Sequence, residues 1–175
     1  MLNAPNLFTL ARLILAPFIA SDILNGRYGR AIILSFIAGF TDVIDGYLAR
    51  KLGESSRVGA YFDPIADKIL LSVVYLALGW AHAIPWWMVG LVFGRDLLIL
   101  AMAAYGLAFT KVRKFPPSIW GKLSTFLQIS AALVVMGAKD GIPAPVDLAV
   151  WLMVAGTIWS GVHYMWRGIT LLRQS

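Results

Sequence analysis

Cysteine is absent from the 175-residue chain, so disulfides, thiol nucleophiles and thiolate metal sites are excluded together. Histidine is scarce: His82 and His163 stand far apart in sequence, and zinc chemistry lacks its usual nitrogen and sulfur ligands. Charge is thin as well, at 14% of residues, and no polar stretch is long enough to make a soluble domain. Nucleic acid is therefore not an expected partner, because no soluble basic domain exists to bind it. No internal repeat of the inverted-transporter kind is visible.

What is present is apolar. Hydrophobic residues make up 59% of the chain and the mean hydropathy is +0.76, far from the composition of a soluble globular domain. A helix needs roughly 20 apolar residues to cross the hydrocarbon layer. Such stretches run over Leu7–Leu24, Arg30–Leu48, Gly59–Trp80, Pro85–Ala108, Ile119–Ala138 and Val146–Leu172. The expectation is an all-α polytopic membrane protein with six transmembrane helices and a short N-terminal interfacial segment, forming a single domain over residues 1–175. Between the spans, Asn25–Gly29, Arg50–Arg57, His82–Pro85, Lys111–Pro117 and Lys139–Pro145 combine turn formers with charge. The first span is kept as a membrane helix rather than a secretory signal, because Arg12 interrupts its apolar run and no clear small-residue cleavage site follows.

Lysine and arginine set the expected orientation. With both termini cytoplasmic, the inner segments hold Arg50, Lys51, Arg57, Lys111, Arg113, Lys114, Lys122, Arg167 and Arg173, and the outer ones only Arg27, Arg30 and Lys139. The net charge of +6 then reads as a topology signal and as attraction to anionic membrane lipids. The expected location is an integral, multi-pass site in a membrane such as the bacterial inner membrane.

The chemistry-bearing pattern lies between the second and third spans: Asp42-x2-Asp45-Gly46-x2-Ala49-Arg50-x8-Gly59-x3-Asp63-x3-Asp67. On helices, Asp42 and Asp45 stand three apart and Asp63 and Asp67 four apart, so each pair projects from one face. An acid at the bilayer core costs about 2.5–3.5 kcal/mol on insertion scales, so this cluster calls for compensating charge. Oxygen-only ligands point to Mg²⁺ or Mn²⁺, with Ca²⁺ open on ligand type alone. The plain alternative is that the aspartates cap helices or pair with Arg50, Arg57 and Lys68.

Position for position, this pattern resembles the signature of the CDP-alcohol phosphatidyltransferase family, with no departure, and the six-span layout extends the resemblance over essentially the whole chain. The resemblance implies attack by an alcohol on a CDP-linked lipid such as CDP-diacylglycerol, with release of CMP and two Mg²⁺ or Mn²⁺ ions as cofactors. It implies Asp42, Asp45, Asp63 and Asp67 as metal ligands, with Asp67 also the catalytic base. It implies Gly46, Ala49, Arg50 and Gly59 as contacts of the CDP-lipid. Gly46, Ala49 and Gly59 also suit tight helix packing, and Arg50 also suits a cytoplasmic anchor. The active site would face the cytoplasm.

The acceptor is less plainly written. Gly94-Arg95-Asp96 and Pro117-Ser-Ile-Trp-Gly121-Lys122-Leu-Ser124-Thr125 resemble the branch holding phosphatidylglycerophosphate synthases and CMP-forming cardiolipin synthases, the arginine-aspartate pair leaning to the latter. The implied partner is an anionic glycerol-type acceptor, phosphatidylglycerol ahead of glycerol 3-phosphate, with inositol phosphate still open. Arg95, Lys122 and Arg12 are candidate acceptor or phosphate contacts. Arg95 is equally an ion-pair partner of Asp96, and Arg12 equally an interfacial side chain that snorkels. His163 and Tyr164 carry no assignment. A homodimer is expected by resemblance, and Gly90, Gly94, Ala101 and Ala104 offer a small-residue stripe that suits packing between or within subunits. The rival class is a cation transporter using intramembrane carboxylates, which would place its acids near midspan.

Overall fold

The computed structural model describes the backbone of residues 4–52, 59–109 and 118–173, and the side chains of residues 11–41, 68–102, 118–166 and 170. Among the described residues the chain is all helix, with six helices and no strand: α1 (Ala4–Leu24), α2 (Tyr28–Leu52), α3 (Gly59–Trp80), α4 (Trp86–Phe109), α5 (Ile119–Lys139) and α6 (Val146–Arg173). These follow the apolar runs closely, because in hydrocarbon a helix satisfies every backbone group within its own segment. Two differences stand out. The second helix continues four residues past the expected Leu48, carrying Arg50 and Lys51 on helical backbone. The N-terminal segment expected at the interface is helical from Ala4 and runs unbroken into the first span, even through Pro17.

Among the described residues, Ile119–Lys139 and Val146–Trp166 are long and apolar enough to cross a membrane, and Tyr28–Thr41 and Lys68–Trp80 are shorter apolar helices. Large apolar side chains stand exposed along the helices: Phe18 on α1, Phe36 and Phe40 on α2, Leu100 on α4, Phe126 on α5 and Trp151 on α6. Exposed apolar side chains in such number are unfavourable in water and suit contact with lipid.

Contacts divide the chain into two compact units, the first comprising Met1–Ile84 with Val135–Pro143, the second Pro85–Val134 with Ala144–Ser175. In the first, α1 packs against both α2 and α3. Its buried stripe is Arg12, Ala16, Ile19 and Ile23, spaced by three or four residues as one helix face requires. Asp22 is buried beside that stripe, where the helix C-terminus disfavours an acid. Arg27 and Arg30 answer it, with nitrogens 3.9 and 3.6 Å from its carboxylate.

In the second unit α4 packs against α6. Here the buried faces of α5 and α6 are partly polar, with Ser124 and Gln128 on one and Thr157 and Ser160 on the other. Gln128 Nε2 donates to Thr157 Oγ1 at 3.1 Å, and the close approach of the helices leaves little room over Gly156, where a Cβ would meet Leu127 Cδ1 at 2.6 Å. Small residues and interhelical hydrogen bonds are the usual means of joining helices that gain nothing from the hydrophobic effect in lipid.

The short turns share one device. After α1, Arg27 N–H donates to the Asp22 carbonyl and Gly26 N–H to that of Ile23; after α5, Ile142 N–H donates to Gly137 and Gly141 N–H to Ala138. Gly26 and Gly141 take φ of 70° and 89°, the left-handed conformation that this C-terminal cap needs. After α3 the same pair of bonds runs from Ala83 to Leu78 and from His82 to Gly79, but the left-handed position, at φ 52°, is His82.

Candidate active site

The acidic signature spans the C-terminal part of α2 and the N-terminal part of α3. Asp42, Asp45, Gly46, Ala49 and Arg50 lie on helical backbone in α2, and Gly59, Asp63 and Asp67 on helical backbone in α3, so the three- and four-residue spacings are helical spacings. Their side chains lie outside the described residues. The donor set fits hard divalent cations, since it offers carboxylate oxygens only and the chain has no thiolate to compete. Among the described residues there is no group of three or more His, Cys, Asp or Glu suited to a metal.

Arg12 is buried to 1% exposure at the end of the inward stripe of α1. Lys122 is exposed, one residue after the buried Gly121 near the start of α5.

Arg95 sits on the buried stripe of α4 below Met88 and Val92, and its guanidinium is held by three elements. Nη1 donates to Asp96 Oδ1 at 2.6 Å. Nη2 donates to the Gly121 carbonyl of α5 at 3.2 Å and to Ser160 Oγ of α6 at 3.0 Å. Among the described residues the buried Nε has no hydrogen-bond partner. A buried arginine needs both a counter-charge and satisfied donors; Asp96 supplies the first and, with two neutral oxygens, part of the second. The ion pair expected as one alternative is present, and it is tied into helix packing.

The start of α5 is built onto α6 by residues to which sequence reading assigned no role of their own. Ser118 caps the helix: its Oγ accepts the Trp120 N–H at 3.2 Å and its carbonyl accepts that of Lys122. Its own N–H, which no helical carbonyl can take, donates to the Tyr164 hydroxyl at 2.9 Å. His163 Nδ1 stands 3.5 Å from Ser118 Oγ. Tyr164 also closes over Gly121, where an added Cβ would lie 3.1 Å from its hydroxyl and 3.3 Å from Arg95 Nη2. The available signal was the i, i+4 spacing of Ser160 and Tyr164 on an otherwise apolar helix.

The sequence profile of the CDP-alcohol phosphatidyltransferase family matches residues 2–162. The chain is 36% identical over 143 residues to a CDP-diacylglycerol–glycerol-3-phosphate 3-phosphatidyltransferase of Aquifex aeolicus, covering 78% of this chain and 76% of that one. It is 31% identical over 175 residues to the Pseudomonas fluorescens protein of the same name, covering 94% and 89%. It is also 29% identical over 134 residues to a probable cardiolipin synthase (CMP-forming) of Drosophila melanogaster, covering 76% of this chain but only 41% of that longer protein. The chain belongs to the CDP-alcohol phosphatidyltransferase family, a membrane-associated enzyme class. Membership takes it out of the cation-transporter class weighed from the sequence.

Proposed function

We propose that this chain transfers the phosphatidyl group of CDP-diacylglycerol to a glycerol-type hydroxyl and releases CMP. The observation that carries the reading is the pairing of Asp42 with Asp45 on α2 and of Asp63 with Asp67 on α3, at helical spacing within the family-matched segment. Asp42, Asp45, Asp63 and Asp67 would hold two Mg²⁺ or Mn²⁺ ions, which when bound supply charge neutralisation for the diphosphate and acidify the incoming hydroxyl. Asp67 takes the hydroxyl proton as the oxygen attacks the lipid-bearing phosphorus; the bond from that phosphorus to the CMP oxygen breaks, and CMP leaves with the electron pair. Arg50 orients the diphosphate with its fork of donors, and Gly46, Ala49 and Gly59 leave room for the nucleotide to approach the helix backbones. The chain crosses the membrane six times, with termini and acids on the cytoplasmic side, and works as a homodimer.

Arg95, Lys122 and Arg12 are assigned to the acceptor side. Phosphatidylglycerol is the favoured acceptor, because the Gly94-Arg95-Asp96 arginine-aspartate pair leans to the cardiolipin-type members of the family. Glycerol 3-phosphate is the second reading, favoured by the names of the relatives aligned over most of both chains. The test is a product assay with CDP-diacylglycerol, Mg²⁺ and, in parallel, phosphatidylglycerol, glycerol 3-phosphate or inositol phosphate. Cardiolipin by mass supports the first acceptor and phosphatidylglycerophosphate the second; phosphatidylinositol phosphate would overturn both.

A further inference from the structure

Ser160 and Tyr164 occupy successive turns of α6, and each ends on a group of the proposed acceptor side. Ser160 Oγ accepts from Arg95 Nη2 at 3.0 Å, one full turn before Tyr164, whose hydroxyl accepts the Ser118 N–H at 2.9 Å. Between them lies Gly121, whose carbonyl accepts from Arg95 Nη2 at 3.2 Å and from Thr125 Oγ1 at 3.1 Å. The absence of a side chain at Gly121 is what lets Tyr164 and Arg95 share this space, since a Cβ would stand within 3.3 Å of both. The guanidinium is thus fixed on two sides by oxygens of α5 and α6, and the first turn of α5, which carries Lys122, is pinned at its cap by one phenol.

We infer that Tyr164 and Ser160 are positioning residues for acceptor binding: together they fix the direction in which Arg95 presents its remaining N–H groups and the place of the α5 start that bears Lys122. This rests on the acceptor role proposed for Arg95 and Lys122. Neither residue touches the reacting atoms. Their effect therefore falls on acceptor affinity and leaves the donor half of the site alone. A lost hydrogen bond to a charged donor frees the guanidinium to swing, whereas a general loosening of the α5–α6 packing would change both substrates alike.

The test uses the full-length protein in mixed micelles with CDP-diacylglycerol and saturating Mg²⁺, and measures KM for each substrate separately, with phosphatidylglycerol and with glycerol 3-phosphate as acceptor probes. Ser160→Ala and Tyr164→Phe raise acceptor KM about five- to tenfold with donor KM unchanged, from the loss of one hydrogen bond each. Thr157→Val, which cuts the neighbouring Gln128 bond in the same interface, leaves acceptor KM at the wild-type value. Arg95→Ala raises acceptor KM more than either single variant. Wild-type acceptor KM in both Ser160→Ala and Tyr164→Phe, with a raised value in Arg95→Ala, would overturn the positioning role and leave the acceptor site standing. An equal rise in Thr157→Val would reduce it to packing and overturn it as well. Wild-type acceptor KM in Arg95→Ala would remove the acceptor role of Arg95 and the inference with it. Absence of CMP release with either acceptor would sink the transferase reading itself.

Discussion

Gln128 on α5 donates its side-chain amide to Thr157 on α6 at 3.1 Å, and Thr157 in turn donates to Met153 Sδ at 3.6 Å. All three side chains are buried, so a polar seam runs inside a helix pair whose outer faces are apolar. Hydrogen bonds between membrane helices contribute about 0.6 kcal/mol on average and about 1.7 kcal/mol at most. Thr157→Val is therefore expected to lower stability by no more than about 2 kcal/mol in a reversible unfolding titration in mixed micelles. A loss well beyond that would show that the seam, rather than helix packing, holds α5 to α6.

Arg95 and Asp96 behave differently because both charges are removed from water, with side-chain exposures of 7% and 19%. Removing one partner of a buried pair typically costs about 3–5 kcal/mol, since the other is left charged and unpaired. Asp96→Ala should be strongly destabilising in the same titration. The double variant Arg95→Met with Asp96→Leu should recover most of that stability while losing acceptor binding. Equal destabilisation of the single and double variants would mean that the pair contributes shape rather than charge.

The three short turns offer a matched set. Gly26 and Gly141 carry positive φ at no steric cost, whereas His82 does so with a Cβ. His82→Gly should raise stability by about 0.5–1 kcal/mol, and Gly26→Ala and Gly141→Ala should each lower it by about 1 kcal/mol. Thermal unfolding of the three variants checks the signs. A destabilised His82→Gly would assign the imidazole a role beyond capping.

Much of this was legible in the chain, for physical reasons. Each helix is a long apolar run, and a long run bounded by Gly, Pro and charge leaves little freedom about what forms. The helical placement of Asp42, Asp45, Asp63 and Asp67 was legible because their spacing is local, and local spacing on a helix is fixed by its pitch. The partners of Arg95 were not, because joining it to Gly121 and Ser160 requires the register of α4 against α5 and α6, which no single-helix periodicity contains. Arg12 was undecided for a similar reason. The sequence shows an arginine in an apolar helix, and only packing of α1 on α2 and α3 shows that it shares the inward stripe with Ala16, Ile19 and Ile23.

The proposed metal dependence rests on a donor set made of four carboxylates. Chelation with EDTA should stop CMP release, and added Mg²⁺ or Mn²⁺ should restore it, whereas Zn²⁺, which prefers nitrogen and sulfur ligands, should restore little. Full activity in EDTA would remove the ions from the account.

The most direct measurement is the release of CMP from CDP-diacylglycerol by wild type and Asp67→Asn, with Mg²⁺ and a glycerol-type acceptor present. The asparagine keeps the size of the side chain and loses its charge and basicity. CMP formation by wild type and nearly none by Asp67→Asn is the expected result. Undiminished turnover by Asp67→Asn would contradict the account.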